Sequence, residues 1–104
     1  MSLTITIDED NLIEWDQMTD SADGSFINSA TVDWELKEKD DTVLFSGTLA
    51  FVVASDGKYQ GTMDKADTVN LERGEKYFLE LTATFGGLDG FRRIMCIAQF
   101  HGEV

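Results

Sequence analysis

Proline is missing altogether from the 104 residues, so every turn must rest on Gly, Asp and Asn instead of a preset φ. Cysteine occurs once, at Cys96, so no internal disulfide can form and a secreted disulfide scaffold is excluded. Histidine also occurs once, at His101, and a zinc site would need several such ligands. Cations are scarce, with 8 Lys and Arg against 20 Asp and Glu, a net charge of -12. A field of that sign repels phosphate backbones and anionic lipid, which argues against nucleic acid and membrane as partners. It suits solubility, or else a basic partner or cations held in acidic loops. No apolar run approaches the roughly 20 residues of a membrane span. Met1 to Asp8 holds no basic residue and no long apolar run. No signal peptide is therefore expected, and the chain is expected in a reducing cytoplasm or assembled there into something larger.

What is present is a hydrophobic content of 42%, too high for a disordered acidic tail. A chain of 11.6 kDa buries roughly 65% of its unfolded surface, enough for one core, so residues 1–104 are expected to form one domain. Alternation with a period of two dominates the sequence. Tyr77, Leu79, Leu81 and Ala83 alternate with Phe78, Glu80, Thr82 and Thr84, and Ala30, Val32, Trp34 and Leu36 alternate with Thr31, Asp33, Glu35 and Lys37. Both apolar rows are assigned to the core, with Ile94, Cys96, Ala98 and Phe100 as the partner row on the last strand, Phe91 to Phe100. Leu71 and Gly74 before Tyr77 suit a sandwich corner pinned by a tyrosine.

Further strands are expected at Leu3 to Ile7, at Leu12 to Trp15 (a second strand or a continuation of the first), from Val43 onward and at Tyr59 to Met63. Ser46-Gly47 reads as a bulge or bend within one long strand. Asp16 to Asn28 carries loop signals, with Thr19 to Ser25, Ser21 included, all turn chemistry. Asp56-Gly57 reads as a hairpin turn, Asp64 to Asn70 as a turn of helix, and Gly86 to Gly90 as the last loop. Seven or eight short strands indicate an all-β, immunoglobulin-like β-sandwich.

Residue types that carry chemistry are sparse. His101 near the chain end has no Gly-x-Ser-x-Gly elbow to serve, and Cys96 lies in an apolar strand that suits an inert thiol. Asp8 to Asn11 and Asp16 to Asp23 would offer oxygens to calcium if they met at one end of the sandwich, but neither matches a calcium-loop spacing. No catalytic, cofactor or metal residue is assigned. Once the core rows are set aside, Ala50, Val52, Ala54, Met95 and Ile97 remain as surplus apolar groups and form the candidate interface. Trp34 belongs with the core row, and Trp15 is placed at a rim.

Several segments taken together resemble a family of small proteins encoded among the virion structural genes of tailed phages and prophages. They are Asn11-Leu12-Ile13-Glu14, Met18-Thr19-Asp20, the run Asp23 to Val32, Ser55 to Gly61, and Gly74-Glu75-Lys76-Tyr77, within a span from about Asn11 to Ala83. The resemblance implies an immunoglobulin-like sandwich without a catalytic motif or cofactor. The function it implies is that of a non-enzymatic virion component or assembly accessory, in the particle or the host cytoplasm. Its partners would be phage structural proteins or further copies of itself. The competing expectation is an adhesive or carbohydrate-binding module using exposed aromatics such as Trp15 or Phe26.

Overall fold

The computed structural model describes residues 2–20 and 22–101, and Ser21 of the expected loop lies outside the described residues. The described residues are all-β apart from one turn of helix. Its elements are β1 (Ser2–Ile7), β2 (Asn11–Trp15), β3 (Thr31–Lys37), β4 (Val43–Phe51), β5 (Tyr59–Met63), α1 (Lys65–Thr68), β6 (Lys76–Phe85) and β7 (Leu88–Phe100). The strands pair in the order β1-β7-β6-β3-β4-β5-β2. Every pairing is antiparallel except that of β1, which runs parallel to β7.

The two edge strands are consecutive in the chain, separated only by Asp8 to Asp10, so the sheet must curl until its edges face each other. It nearly closes into a barrel. One side chain stitches the gap. Asn11, at the start of β2, accepts from the Thr6 N–H through Oδ1 at 2.8 Å and donates from Nδ2 to the Thr6 carbonyl at 2.9 Å. Leu12 to Trp15 is therefore a separate strand at the far edge, not a continuation of β1.

The alternation puts the expected rows inside. Val32, Trp34, Leu36, Tyr77, Leu79, Leu81, Ala83, Cys96 and Ala98 are buried, and Ile5, Ile7, Ile13, Leu49, Tyr59 and Met63 join them in one apolar cluster. Ala30 and Ile94 are only half-buried against it. Phe100 requires correction: it lies on the core-facing row beside Ile7 but is 47% exposed, because the strand runs past the end of the barrel there. Its neighbour on the other side of β7, the start of β6, reaches only as far as Ile97.

β4 is one continuous strand, and its irregularity falls elsewhere than Ser46-Gly47. Leu36 pairs with Phe45 and Lys37 with Val43, which leaves Leu44 as the extra residue of a bulge. Gly47 has a packing role instead, since a Cβ there would stand 2.6 Å from the Trp34 indole nitrogen. The strand expected from Val43 onward ends at Phe51, which leaves Val52 and Ala54 in the loop after it. At the other hairpin, Gly86-Gly87 makes the turn and β7 resumes at Leu88, so Asp89 and Gly90 are strand residues and not loop.

Candidate functional site

The corner expected around Tyr77 is built as the sequence suggests. The Tyr77 side chain is buried, and its hydroxyl oxygen accepts from the Glu72 N–H at 2.9 Å, tying the approach of β6 to its first turn.

A second tyrosine does more, with no signal in the residue pattern. Tyr59 is fully buried; its hydroxyl donates to the Ile27 carbonyl at 2.7 Å and accepts from the Ala30 N–H at 3.1 Å. Beside it, the Asn28 amide oxygen accepts from the Gly57 N–H at 2.8 Å, and the Gly57 carbonyl accepts from the Met18 N–H at 2.9 Å. Gly57 has φ of +68°, and a Cβ there would stand 2.5 Å from the Met18 carbonyl oxygen. The stretch expected as open loop is thus a docked structure. Met18 and Ile27 are buried, Thr19 bridges Phe26, and at the tip the Asp20 carbonyl accepts from the Gly24 N–H while the Asp20 N–H donates to the Ser25 carbonyl.

The acidic segments serve as turn builders. Asp20 accepts from the Ala22 N–H, and Asp23 accepts from the Ser25 N–H and hydroxyl; those bonds hold the Asp23 carboxyl below its ordinary pKa. Asp10 accepts from the Lys65 N–H at the start of α1. The two segments do not meet. Asn11 pairs with Met63 and Trp15 with Tyr59, so Asp8 to Asp10 and the loop after Trp15 leave opposite ends of β2. Among the described residues, no group of three His, Cys, Asp or Glu is placed to hold a metal ion.

His101 is exposed, with Nδ1 3.2 Å from Glu9 Oε1. Cys96 is buried, and desolvation pushes its thiol up to about 11, so the thiolate is disfavoured. Trp15 is buried and not at a rim in the sense expected, for the Arg92 guanidinium lies 4.4 Å above its ring. That stacking covers the face a sugar would need. Phe26 is 45% exposed.

The five candidate interface residues fall in two places. Ala50, Val52 and Ala54 lie at the end of β4 and in the loop after it, with Ala50 and Ala54 exposed and Val52 half-buried. Met95 and Ile97 are half-buried on the outer face of β7, three strands away in the sheet. Leu49 shares a row with Val32, Ala83 and Gly90, so Ala50 and Met95 are also about six residues apart along the strands, roughly 20–25 Å in all. They do not form one patch.

The outer face of β3, β6 and β7 carries an ion cluster that the sequence did not announce. Glu80 is buried although it points outward; it meets Lys37 Nζ at 2.8 Å and Arg93 Nη1 at 2.8 Å. Arg93 also lies 4.1 Å over the Phe78 ring and 3.4 Å from Asp41. Glu35 stands directly opposite Glu80, so two like charges share the row and the two cations offset them. The Glu80 hydrogen bond is the main cause that holds the Lys37 ammonium above its ordinary pKa. Cross-strand register creates this cluster, and register is not written in either strand alone.

No family profile matches this sequence, and no curated protein sequence matches it. No helix among the described residues is long and apolar enough to cross a membrane.

Proposed function

We propose that this chain is a non-enzymatic, immunoglobulin-like interaction domain of tailed phages or prophages, acting as a virion component or an assembly accessory through protein–protein contacts. The observation that carries this reading is where the resembling segments go. Met18, Ile27, Asn28, Gly57 and Tyr59 come from segments about thirty residues apart, yet they meet in one set of hydrogen bonds. The residues that carry the resemblance therefore hold a framework together, and the loops they hold are left polar and exposed, as suits a domain that acts by contact.

The immunoglobulin-like part draws support from three features. The first strand runs parallel on the last, β4 exchanges partners from β3 to β5 along its length, and Tyr77 pins its own corner. A carbohydrate platform has less to stand on, because Trp15 is already stacked under Arg92.

Mass spectrometry of gradient-purified particles and of assembly intermediates tests the virion reading. The protein should appear at a fixed ratio to a major structural protein in one or the other. Its absence from both would overturn the assignment.

A further inference from the structure

The side of β1 that faces away from β7 pairs with no strand among the described residues. Asn11 shows which backbone groups point there. Because it bonds both the N–H and the C=O of Thr6, Thr6 faces the open side. Strand geometry turns alternate residues to alternate sides, so Ser2 and Thr4 face the open side too, while Leu3, Ile5 and Ile7 face β7. Native edges are usually blunted by a charge, a proline or a bulge. The far edge, β2, carries Glu14 with Lys58 4.0 Å away. β1 reads Ser-Leu-Thr-Ile-Thr-Ile, with none of these devices. Leu3 is also out of place, since it shares the inward row with Ile5 and Ile7, which are 1% and 2% exposed, yet is itself 43% exposed.

We propose that β1 is a self-pairing edge, and that two copies join antiparallel across a twofold axis centred on Leu3. In this register Ser2 of each copy opposes Thr4 of the other, and each such pair exchanges two backbone hydrogen bonds. Leu3 meets its own symmetry mate and loses its exposure. The paired stretch is Ser2 to Thr4, and the Thr6 N–H and C=O stay with Asn11. This inference stands apart from the virion assignment.

Charge permits a second copy as the occupant and selects the direction. Ser2, Leu3 and Thr4 have no ionisable side chain, so a second copy meets no like charge among them despite the net -12. In a parallel pairing, the Asp8-Glu9-Asp10 segments of the two copies would lie side by side. In the antiparallel pairing Asp8 sits five residues from the axis in each copy, which separates the two by roughly 33 Å. That exceeds the Debye length of about 8 Å at physiological salt several-fold. The remaining repulsion is long-range, so the dimer strengthens as salt rises.

Sedimentation velocity on the full chain tests this from about 10 µM to about 1 mM, a range suited to a contact smaller than the standard roughly 800 Å² per partner. The expected result is a monomer–dimer equilibrium that shifts to dimer with added salt. Thr4→Pro removes a donor on the open side and leaves the bonds to β7; it should weaken association at least about tenfold with little change in thermal unfolding. Leu3→Cys reads the register, because facing residues of a non-hydrogen-bonded antiparallel pair are about 4.5 Å apart at Cα, within disulfide reach. It should form a covalent dimer under mild oxidation, Glu9→Cys should not, and buried Cys96 should not compete. A wild type that stays monomeric throughout, with no Leu3→Cys cross-link, would overturn the proposal. So would a dimer that Thr4→Pro leaves unchanged, or Glu9→Cys cross-linking as fast as Leu3→Cys. If Thr4→Pro fails to fold, the cysteine pair decides alone.

Discussion

Two sides of the barrel are held by different means. On one side β1, β7, β6, β3 and the first part of β4 bury a repeated apolar row in which each residue touches neighbours of the same kind. On the other, β5, β2 and the loop between Trp15 and Thr31 also bury apolar residues such as Ile13, Met18 and Met63, but add a few point contacts: one tyrosine hydroxyl, one asparagine amide and one glycine without room for a Cβ. Burial of apolar area is graded, so damage to the first side scales with the volume removed. A backbone approach or a buried hydrogen bond is either made or lost, so damage to the second side comes in steps.

The largest expected effects set the two sides against each other. Leu79 is 1% exposed at the centre of the first, and Leu79→Ala should cost about 3–4 kcal/mol in urea unfolding. Gly57→Ala removes no volume at all. Even so, the new methyl meets the Met18 backbone and the φ of +68° disfavours any side chain, so about 3 kcal/mol should be lost. The pattern of damage separates them: hydrogen exchange should speed up at the Met18 and Ile27 amides in Gly57→Ala, and across the β6 ladder in Leu79→Ala. Equal loosening in both variants would mean that the molecule has one cooperative side and not two.

Tyr59→Phe takes away a single oxygen. It leaves the Ile27 carbonyl and the Ala30 N–H in want of partners near a buried ring, at a cost of about 2–3 kcal/mol. A loss below about 0.5 kcal/mol would show that water reaches these groups and that the loop is held mainly by Met18 and Ile27.

These contrasts also explain what could be read from the sequence. The first side was legible because its signal is periodic. Val32, Trp34, Leu36, Leu79, Leu81 and Ala83 lie inside as their alternation requires, and Tyr77 holds its corner. Phe100 was misplaced because alternation fixes a face but says nothing about where the facing strand ends. On the second side the strands at Leu12 to Trp15 and Tyr59 to Met63 are legible, but the docked loop is not, because Asn28, Gly57 and Tyr59 act through partners 29 to 32 residues away. Asp-Gly at 56–57 looked like a complete explanation in terms of a turn, which hid the second demand made on that glycine. For the candidate interface, apolar residues left over from the core rows were grouped by elimination, and only the strand order shows that they divide between the β4 end and β7.

Cys96 sharpens the first side chemically. Its thiol is pushed from an ordinary value of 9.0 up to about 11 by burial. Between those values the unfolded state releases a proton that the folded state keeps, so stability falls as pH rises from 9.0 toward about 11. From pH 8 to pH 10 this group should remove about 1 kcal/mol, a loss missing from Cys96→Val. Denaturation curves of the two proteins at both pH values give the difference. Equal pH dependence would mean that water reaches the thiol. A thiol reagent at pH 8 should likewise label Cys96 only as fast as the protein unfolds.

The smallest effect has the opposite sign and lies three residues from Gly57. Ala54 has φ of +67°, is exposed, and follows Val53 at the tip of the loop between β4 and β5. The left-handed conformation costs an alanine about 1–2 kcal/mol, and glycine removes that cost. Glycine also widens the unfolded ensemble, which takes back about 0.4–1 kcal/mol. Ala54→Gly should therefore stabilise the protein by about 0.5 kcal/mol, whereas an alanine at Gly57, with nearly the same φ, is among the most damaging changes. The backbone angle is shared by the two positions, so the opposite signs isolate the other factor, which is the closeness of Met18. Urea unfolding of both variants measures it. Destabilisation by Ala54→Gly would show that the Ala54 methyl makes a contact of its own, and would make this loop tip part of the framework that Tyr59 and Asn28 hold.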